Sequence, residues 1–469
     1  MGPSDRARPP ARRTAAVSPR IGARVAAAPG PRPRGGAAPP APRPFTRAPA
    51  VVRSEPVPVA PPAGAIHRHG PDSVIVLAVL ALTALGLLVV YSSSAMDGYL
   101  GGGGGFGATF ATLGPQLQWA AVGLVAMLAA TRVDYRWLRL VSLPLVLLAG
   151  ALLVLVQVPA FQVSVGGSAQ WLKLPGLPAI QPGELAKLAL VVYLAHWAAR
   201  RGTAVAGLTT GLLPFVVIVA PFVFLVFKSP DIGSAGILGL TAAVMFFLAG
   251  ANPLYLVGLA GAAVGAAAIL LRSYQVERLK SFLDPFADPA NTGYHAVQGL
   301  LALGLGGLFG SGLGERAAAR GIVLPNAHND YIFAVIGQEF GFLGAVAVIG
   351  LFGLLAYRGI RVALAAPDTF GGLLAAGITA WLCLQAFVNI GVVVTLLPVT
   401  GITLPFVSAG GSSLIVSLGA AGILLSISRE TAVQGGWMHA SGDRGRRNGR
   451  AHLPGSRRRP LPARTPGAA

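Results

Sequence analysis

The chain has 469 residues, 54% of them hydrophobic and only 11% charged, with a positive mean hydropathy. That balance excludes a water-soluble globular enzyme and leaves a polytopic membrane protein. A formal charge of +20 would suit nucleic acid, but most of it lies at the ends: twelve Arg against Asp5 and Glu55 over residues 1–70, and nine against Glu430 and Asp443 from 429 onward. Neither end carries a nucleic-acid-binding motif with interleaved aromatics, and Arg beside membrane spans is retained on the cytoplasmic side, so a topogenic or anionic-lipid role is expected there and no nucleic acid.

Residues 1–70 are built from Pro, Ala and Arg without apolar periodicity and read as a disordered cytoplasmic tail. The first apolar run starts near Ser73, too far in for a cleaved signal peptide, so this span is expected to stay in the membrane. Runs of about twenty apolar residues, enough to cross roughly 30 Å of hydrocarbon, then fall at 73–93, 110–130, 138–158, 182–199, 207–227, 232–250, 253–272, 329–356, 370–396 and 411–428. With both Arg-rich tails inside, the number of spans must be even, and ten satisfies that. The short loops agree: Arg132, Arg136 and Arg139 follow the second span, Arg200 and Arg201 the fourth, and Arg358 and Arg361 the eighth. DGYLGGGGGFG after the first span and PVTGITLPFVSAGG after the ninth hold no basic residue and belong outside.

The expected fold is therefore an all-α polytopic membrane protein of ten transmembrane helices, its core at 71–430, with a second disordered basic tail over 431–469. A large extracytoplasmic loop, 273–328, lies between spans seven and eight. Loops that long are generally functional or disordered, and AVQGLLALGLGGLFGSGLG within it suits a short helix or re-entrant element. Its glycines make no phosphate loop, since no strand precedes them and no Gly-Lys-Ser/Thr ending follows. The only cysteine, Cys383, lies in an apolar run and forms no intrachain disulfide.

Charges inside spans are costly and therefore functional candidates. Glu184 and Lys187 in QPGELAKLAL are three apart and share a helix face. They form either a pair that only fixes packing or a polar cavity where Lys187 meets an anionic group such as a phosphate. Asp284 and Asp288 in SFLDPFADPANTGYH each precede a proline, which holds them in an extended or turn conformation. Such a pair is ordinary turn chemistry, or a general base and its neighbour, or a ligand set for a hard cation. In LPNAHNDYIFAVIGQEFGFLGA, His328 and Asp330 stand at the mouth of the eighth span as a helix entry or a weak metal signal, and Glu339 lies within it. Gln385 and Asn389, four apart in the ninth span, offer a hydrogen-bonding face that would at least hold helices together.

Taken together, QPGELAKLAL, SPDIGSAG, FLDPFADPANTGYHAVQGLLALGLGGLFGSGLG, LPNAHNDYIFAVIGQEFGFLGA and NIGVVVTLLPVTGITLPFVSAGGSSL resemble, in the right order over roughly residues 75–428, the SEDS proteins, the FtsW/RodA/SpoVE group. The resemblance implies a ten-span membrane glycosyltransferase that polymerises lipid II into β1,4-linked glycan strands at the outer face of the cytoplasmic membrane. It implies a class B penicillin-binding protein as partner, with other division proteins. The family's essential outer-loop Asp falls on Asp288, as base for the acceptor hydroxyl, and its intramembrane Glu and Lys fall on Glu184 and Lys187. The remaining candidate substrate contacts are Arg278, Lys280, Asp284, His328, Asp330, Glu339, Asn389 and Ser412. A divalent cation, Mg2+ or Mn2+, is a possible cofactor without assignable ligands. Three positions depart from the family pattern: Gly183 in place of Ser, Gln170 in place of an Arg before the Trp, and Ala409 in place of an aromatic.

Within the group the motif spellings look closer to the septal members than to the elongation members, and the tails look like those of high-GC actinobacterial ones. A septal location with both termini cytoplasmic follows. The rival classes are a lipid II flippase, which the intramembrane charges suit equally, and a division scaffold, which needs none of them.

Overall fold

The computed structural model describes residues 66–100, 106–165, 168–176, 178–270, 273–313 and 327–432. Both basic tails, apart from their edges at 66–70 and 431–432, and part of the large loop lie outside these residues. The described chain is mostly helical, with two short antiparallel strand pairings. The helices are α1 (Ser73–Leu100), α2 (Phe106–Arg132), α3 (Leu138–Leu155), α4 (Pro182–Arg201), α5 (Leu213–Lys228), α6 (Ile232–Leu248), α7 (Pro253–Leu270), α8 (Ser273–Leu283), α9 (Tyr294–Gly306), α10 (Ile332–Ala365), α11 (Thr369–Val393) and α12 (Gly411–Ser428). Ten of them fall on the ten expected spans. Among the described residues seven helical segments are long and apolar enough to cross a membrane: those of α1, α2, α3, α5, α10, α11 and α12. The α6 and α7 helices are apolar but shorter, and α4 carries Glu184, Lys187, Arg200 and Arg201 along its 20 residues.

Acidic residues start several helices. Asp72 accepts from Val74 N and Ile75 N at 3.0 and 3.3 Å before α1, Asp231 from Ser234 N at 2.9 Å before α6, and Asp368 from Gly371 N at 2.9 Å before α11. Each satisfies an amide that the first turn leaves without an intrahelical partner. The α11 and α12 helices are the most enclosed, whereas α2, α3 and α5 turn large apolar side chains such as Val125, Leu147 and Val217 outward. In water those faces would be a liability; against lipid tails they are the required surface. Close helix crossings use small residues, as where Gly422 of α12 meets the Met127 backbone of α2 and leaves no room for a Cβ.

Two expectations are refined. The segment after the first span begins as helix, because α1 continues to Leu100 and α2 starts at Phe106. The eighth span starts at Ile332, runs on to Ala365, and is broken at Gly341, whose φ of 69° is non-helical. The break frees backbone groups that have no water to bind in hydrocarbon, and the loop after α9 satisfies them. Ser311 N and Gly312 N donate to the Gln338 and Glu339 carbonyls at 2.9 and 3.2 Å, while Phe342 N and Leu343 N donate to the Gly307 and Leu308 carbonyls at 2.8 and 3.2 Å. The GLFGSG stretch is thus seated in a broken helix.

At one end of the bundle β1 (Ile66–Arg68) pairs antiparallel with β4 (Glu430–Ala432), joining the segments that flank the first and last helices. At the other end β2 (Gln162–Val165) and β3 (Ser168–Leu172) form an antiparallel pair, with Leu172 bridging to Ile180 just before α4.

Candidate active site

Three groups of polar residues gather toward the α4, α8–α9 and α10 entrances. The first is buried. Pro182 occupies the first turn of α4, where its missing N–H costs nothing, and Glu184 and Lys187 follow one turn apart, 3% and 2% exposed. Lys187 Nζ donates to Glu184 Oε1 at 2.8 Å and to Gln385 Oε1 of α11 at 2.7 Å. Its ammonium also stands 5.6 Å from the centre of the Trp381 ring, and Trp381 Nε1 donates to the same Gln385 oxygen at 2.9 Å. Gln385 Nε2 donates to the Thr403 carbonyl at 3.0 Å, and Thr403 Oγ1 lies 3.0 Å from Ser413 Oγ. Ser412 Oγ accepts from Gln181 N at 3.1 Å, and Gln181 Nε2 reaches Asp231 Oδ2 at 3.4 Å. One chain of hydrogen bonds therefore joins α4, α11 and the turn into α12 through Ser413, and a second joins the start of α12 to α6 through Ser412, Gln181 and Asp231. Glu184 Oε2 is buried in the first without a partner, and burial pushes the Asp231 carboxyl up against its bond from Ser234 N.

The second group lies on the segment between α7 and α9. The α8 helix carries Arg278 and Lys280, both exposed, and ends as Asp284 N donates to the Lys280 carbonyl at 3.2 Å. Asp288 closes the following turn on itself. Its carboxylate accepts from Asn291 Nδ2 at 3.1 Å and from the amide and hydroxyl of Thr292 at 3.4 Å each, and its carbonyl accepts from Gly293 N at 2.9 Å. Gly293 is required here because a Cβ would collide with the Pro285 carbonyl. The Thr292 amide, helped by Asn291 and the Thr292 hydroxyl, holds the Asp288 carboxyl below the usual carboxylate range, so it stays ionised and acceptor-only at neutral pH. Asp284 is exposed one turn earlier.

The third group surrounds the entry to α10. Asn389 Nδ2 of α11 donates to the Asp330 and Ile402 carbonyls at 2.8 and 2.7 Å. Ser408 Oγ donates to the Asn329 carbonyl at 2.6 Å, and Ala409 N donates to the His328 carbonyl at 2.8 Å. The NAHND turn is clamped by α11 and the loop before α12. Against it lies α9: the His295 ring stands 5.8 Å from the Tyr331 ring. Burial pushes the Asp330 carboxyl up to about 6, opposed by the Arg278 charge, and the same burial, aided by Arg278, pushes the His295 imidazole down. His295 Nδ1, Gln298 Oε1, His328 Nδ1, Tyr331 OH and Asn389 Oδ1 are buried without a protein partner. Such atoms are costly when left unsatisfied, so each calls for water or another polar group as a partner.

Glu339 lies at the helix break, where Ser92 Oγ of α1 donates to its carboxylate. The Glu184–Lys187 pair bonds through Gln385 to Thr403, whereas the hydrogen bonds of the Asp288 carboxylate stay within its own turn. Among the described residues no three His, Cys, Asp or Glu side chains converge as a metal site. Sequence reasoning overlooked Asp231, Gln181, His295 and Tyr331. Asp231 carried one signal, an Asp before a run of small residues that reads as a helix cap; the others carried none. Of the departures, Gly183 faces open space, so the missing Ser removes a hydroxyl without strain.

A polytopic helical membrane protein with a buried ion pair and a carboxylate-bearing loop segment is the class these features define. Residues 72–433 match the FtsW/RodA/SpoVE family, described as cell cycle protein, and the chain belongs to that family. A Geobacter metallireducens protein named "Probable peptidoglycan glycosyltransferase FtsW" is 41% identical over 365 residues, 77% of this chain and 95% of that one. The stage V sporulation protein E of Bacillus subtilis is 38% identical over 77% and 98% of the two chains. Among solved structures, a chain described under "Structural coordination of polymerization and crosslinking by a peptidoglycan synthase complex" aligns with a TM-score of 0.62 at 31% identity, covering 76% of this chain and 98% of that one. The Thermus thermophilus rod shape determining protein RodA aligns with a TM-score of 0.56 at 30% identity, covering 76% and 97%.

Proposed function

We propose that this protein is a peptidoglycan glycosyltransferase of the FtsW type, joining lipid II units into glycan strands during septal wall synthesis. The observation that carries the reading is Asp288, an ionised carboxylate fixed by its own turn on the segment that follows Arg278 and Lys280. It stands in a chain that matches FtsW-named relatives over nearly their whole length.

Chain growth needs the GlcNAc 4-hydroxyl of one lipid II to attack C1 of the MurNAc of another. The C1–O bond to the lipid diphosphate breaks, the new C1–O4 bond forms with inversion to β1,4, and the hydroxyl proton goes to a base. Asp288 takes that proton. Its lowered basicity makes it a modest base that is always in the correct state at neutral pH. Arg278 and Lys280 on the preceding helix supply positive charge toward the departing diphosphate. Lys187, already bound to Glu184 and Gln385, holds α4 against α11 beneath the site. The buried unpartnered atoms of His295, Tyr331 and His328 offer hydrogen bonds to sugar or peptide. Should Mg2+ or Mn2+ take part, Asp288 and Asp284 are the carboxylates of this segment that would meet it together with substrate phosphates, neutralising their charge.

The proposal includes ten spans with both termini cytoplasmic, and a class B penicillin-binding protein docked on the lipid-facing side of α10 and α11, where Phe342, Leu343, Val346 and Phe387 are exposed. The test is glycan-strand formation from labelled lipid II by the purified protein with its penicillin-binding protein, in moenomycin to silence other polymerases. Asp288→Asn should lose turnover and keep lipid II binding. Equal product from both proteins removes Asp288 as base. Lipid II translocation without product from either favours a flippase.

A further inference from the structure

The end of the bundle that joins the two chain flanks carries a cleft of about 200 Å³ unconnected with the chemistry above. It opens between β1, the end of α2 and the end of α12, at the far end of α12 from Ser412. Its walls include Arg68, His69, Arg132, Asp134, Arg429 and Glu430. The two acids are already neutralised. Glu430 receives Arg68 Nε at 3.0 Å and Arg136 Nη2 at 2.7 Å, and Asp134 receives Arg136 Nη1 at 3.3 Å and the Arg136 amide at 2.8 Å. Two guanidiniums remain. Arg132 has no acidic partner among the described residues, and Arg429 spends one N–H on the Thr131 carbonyl at 3.1 Å. Both are exposed at the rim. A concave site with two guanidiniums free of acidic partners over a neutralised floor is complementary to a phosphate, which takes forked N–H donors.

The surroundings say which phosphate. Val133 in the cleft wall is 52% exposed, Trp137 just before α3 is 63% exposed, and Leu140 and Leu147 continue an apolar exposed face along α3. An exposed Trp where apolar helix surface gives way to Arg is the composition of a membrane interface. We propose that this cleft binds the head-group phosphate of an anionic phospholipid, whose acyl chains lie along the outward faces of α2 and α3. Basic pockets between helices at the cytoplasmic side recognise such head groups by this chemistry. A lipid held there would bridge α2 and α12 at the point where β1 and β4 pair.

The full-length protein, delipidated in detergent, would be titrated by native mass spectrometry with phosphatidylglycerol, phosphatidylcholine and inorganic phosphate. Phosphatidylglycerol should bind at least tenfold more tightly than phosphatidylcholine. Arg132→Gln/Arg429→Gln should weaken it about thirtyfold, the worth of two interfacial charges, while Arg361→Gln, an exposed Arg of α10, should not. Arg132→Gln alone removes no protein hydrogen bond and serves if the double variant fails to fold. Equal binding of the two lipids, or unchanged binding by the variants, overturns the proposal. Displacement of phosphatidylglycerol by millimolar inorganic phosphate overturns the lipid assignment in favour of a soluble phosphate.

Discussion

Asp330 and Asp288 show how little an Asp in a loop says about its titration. Burial lifts Asp330 to about 6, above the roughly 3.9 of an unfolded Asp, so the folded protein binds this proton more tightly than the unfolded chain does. That contribution to stability is full below about pH 4 and is lost as pH rises through about 6. Thermal unfolding of the wild type should therefore lose stability over that interval relative to Asp330→Asn, in which the slope flattens. Asp288 moves the other way, so polymerisation should stay flat across neutral pH, and any acid limb near pH 6 should vanish in Asp330→Asn if its carboxyl is the cause. The Glu184–Lys187 pair makes a different demand. Lys187→Met leaves Glu184 buried and unpaired and should cost about 3–5 kcal/mol, whereas Glu184→Gln/Lys187→Met should recover much of that by thermal unfolding. This pair was legible in the sequence because two charges three apart inside an apolar run have few innocent explanations. The burial of Asp330 was not, since a polar residue at a helix mouth reads the same whether or not α9 covers it.

At the scale of elements, the ten apolar runs announced themselves by length, and Asp or Pro marked several starts. The break at Gly341 did not, because QEFGFLGA has the same apolar texture on both sides of the glycine. What sets the break is the GLFGSG insert, a partner that lies far upstream in the chain at Gly310 and Leu308. Gly341 has φ of 69°, and a Cβ there would strike Gly310 N and the Leu308 carbonyl. Gly341→Ala should thus combine backbone strain of about 1–3 kcal/mol with a clash, lowering the melting temperature and loosening α9. Proteolysis within 307–313 should report that loosening. The β2–β3 pairing was likewise missed, since its strands are only 4 and 5 residues long and too short for a period to declare itself.

For the whole molecule, the distribution of Arg predicted which end faces the cytoplasm, and the fold places Arg132, Arg136, Arg358 and Arg429 around one end of the bundle with β1 and β4. Orientation is open to a direct test, since Cys383 is the only cysteine. In a Cys383→Ser background, Ala290→Cys in the outer turn should react with an impermeant maleimide in intact cells, and Val133→Cys only after permeabilisation. The reverse pattern would invert the topology.

The pairing of β1 with β4 also has a meaning in time. Asp72, which caps α1, donates its amide to Ser428 Oγ at 3.1 Å, and Arg68 meets Glu430 at a separation of 362 residues. At 5–20 residues per second that interval of synthesis lasts roughly 20 to 70 seconds. The first helices to leave the ribosome therefore wait in the bilayer for the last one, and the bundle closes only when translation is nearly over.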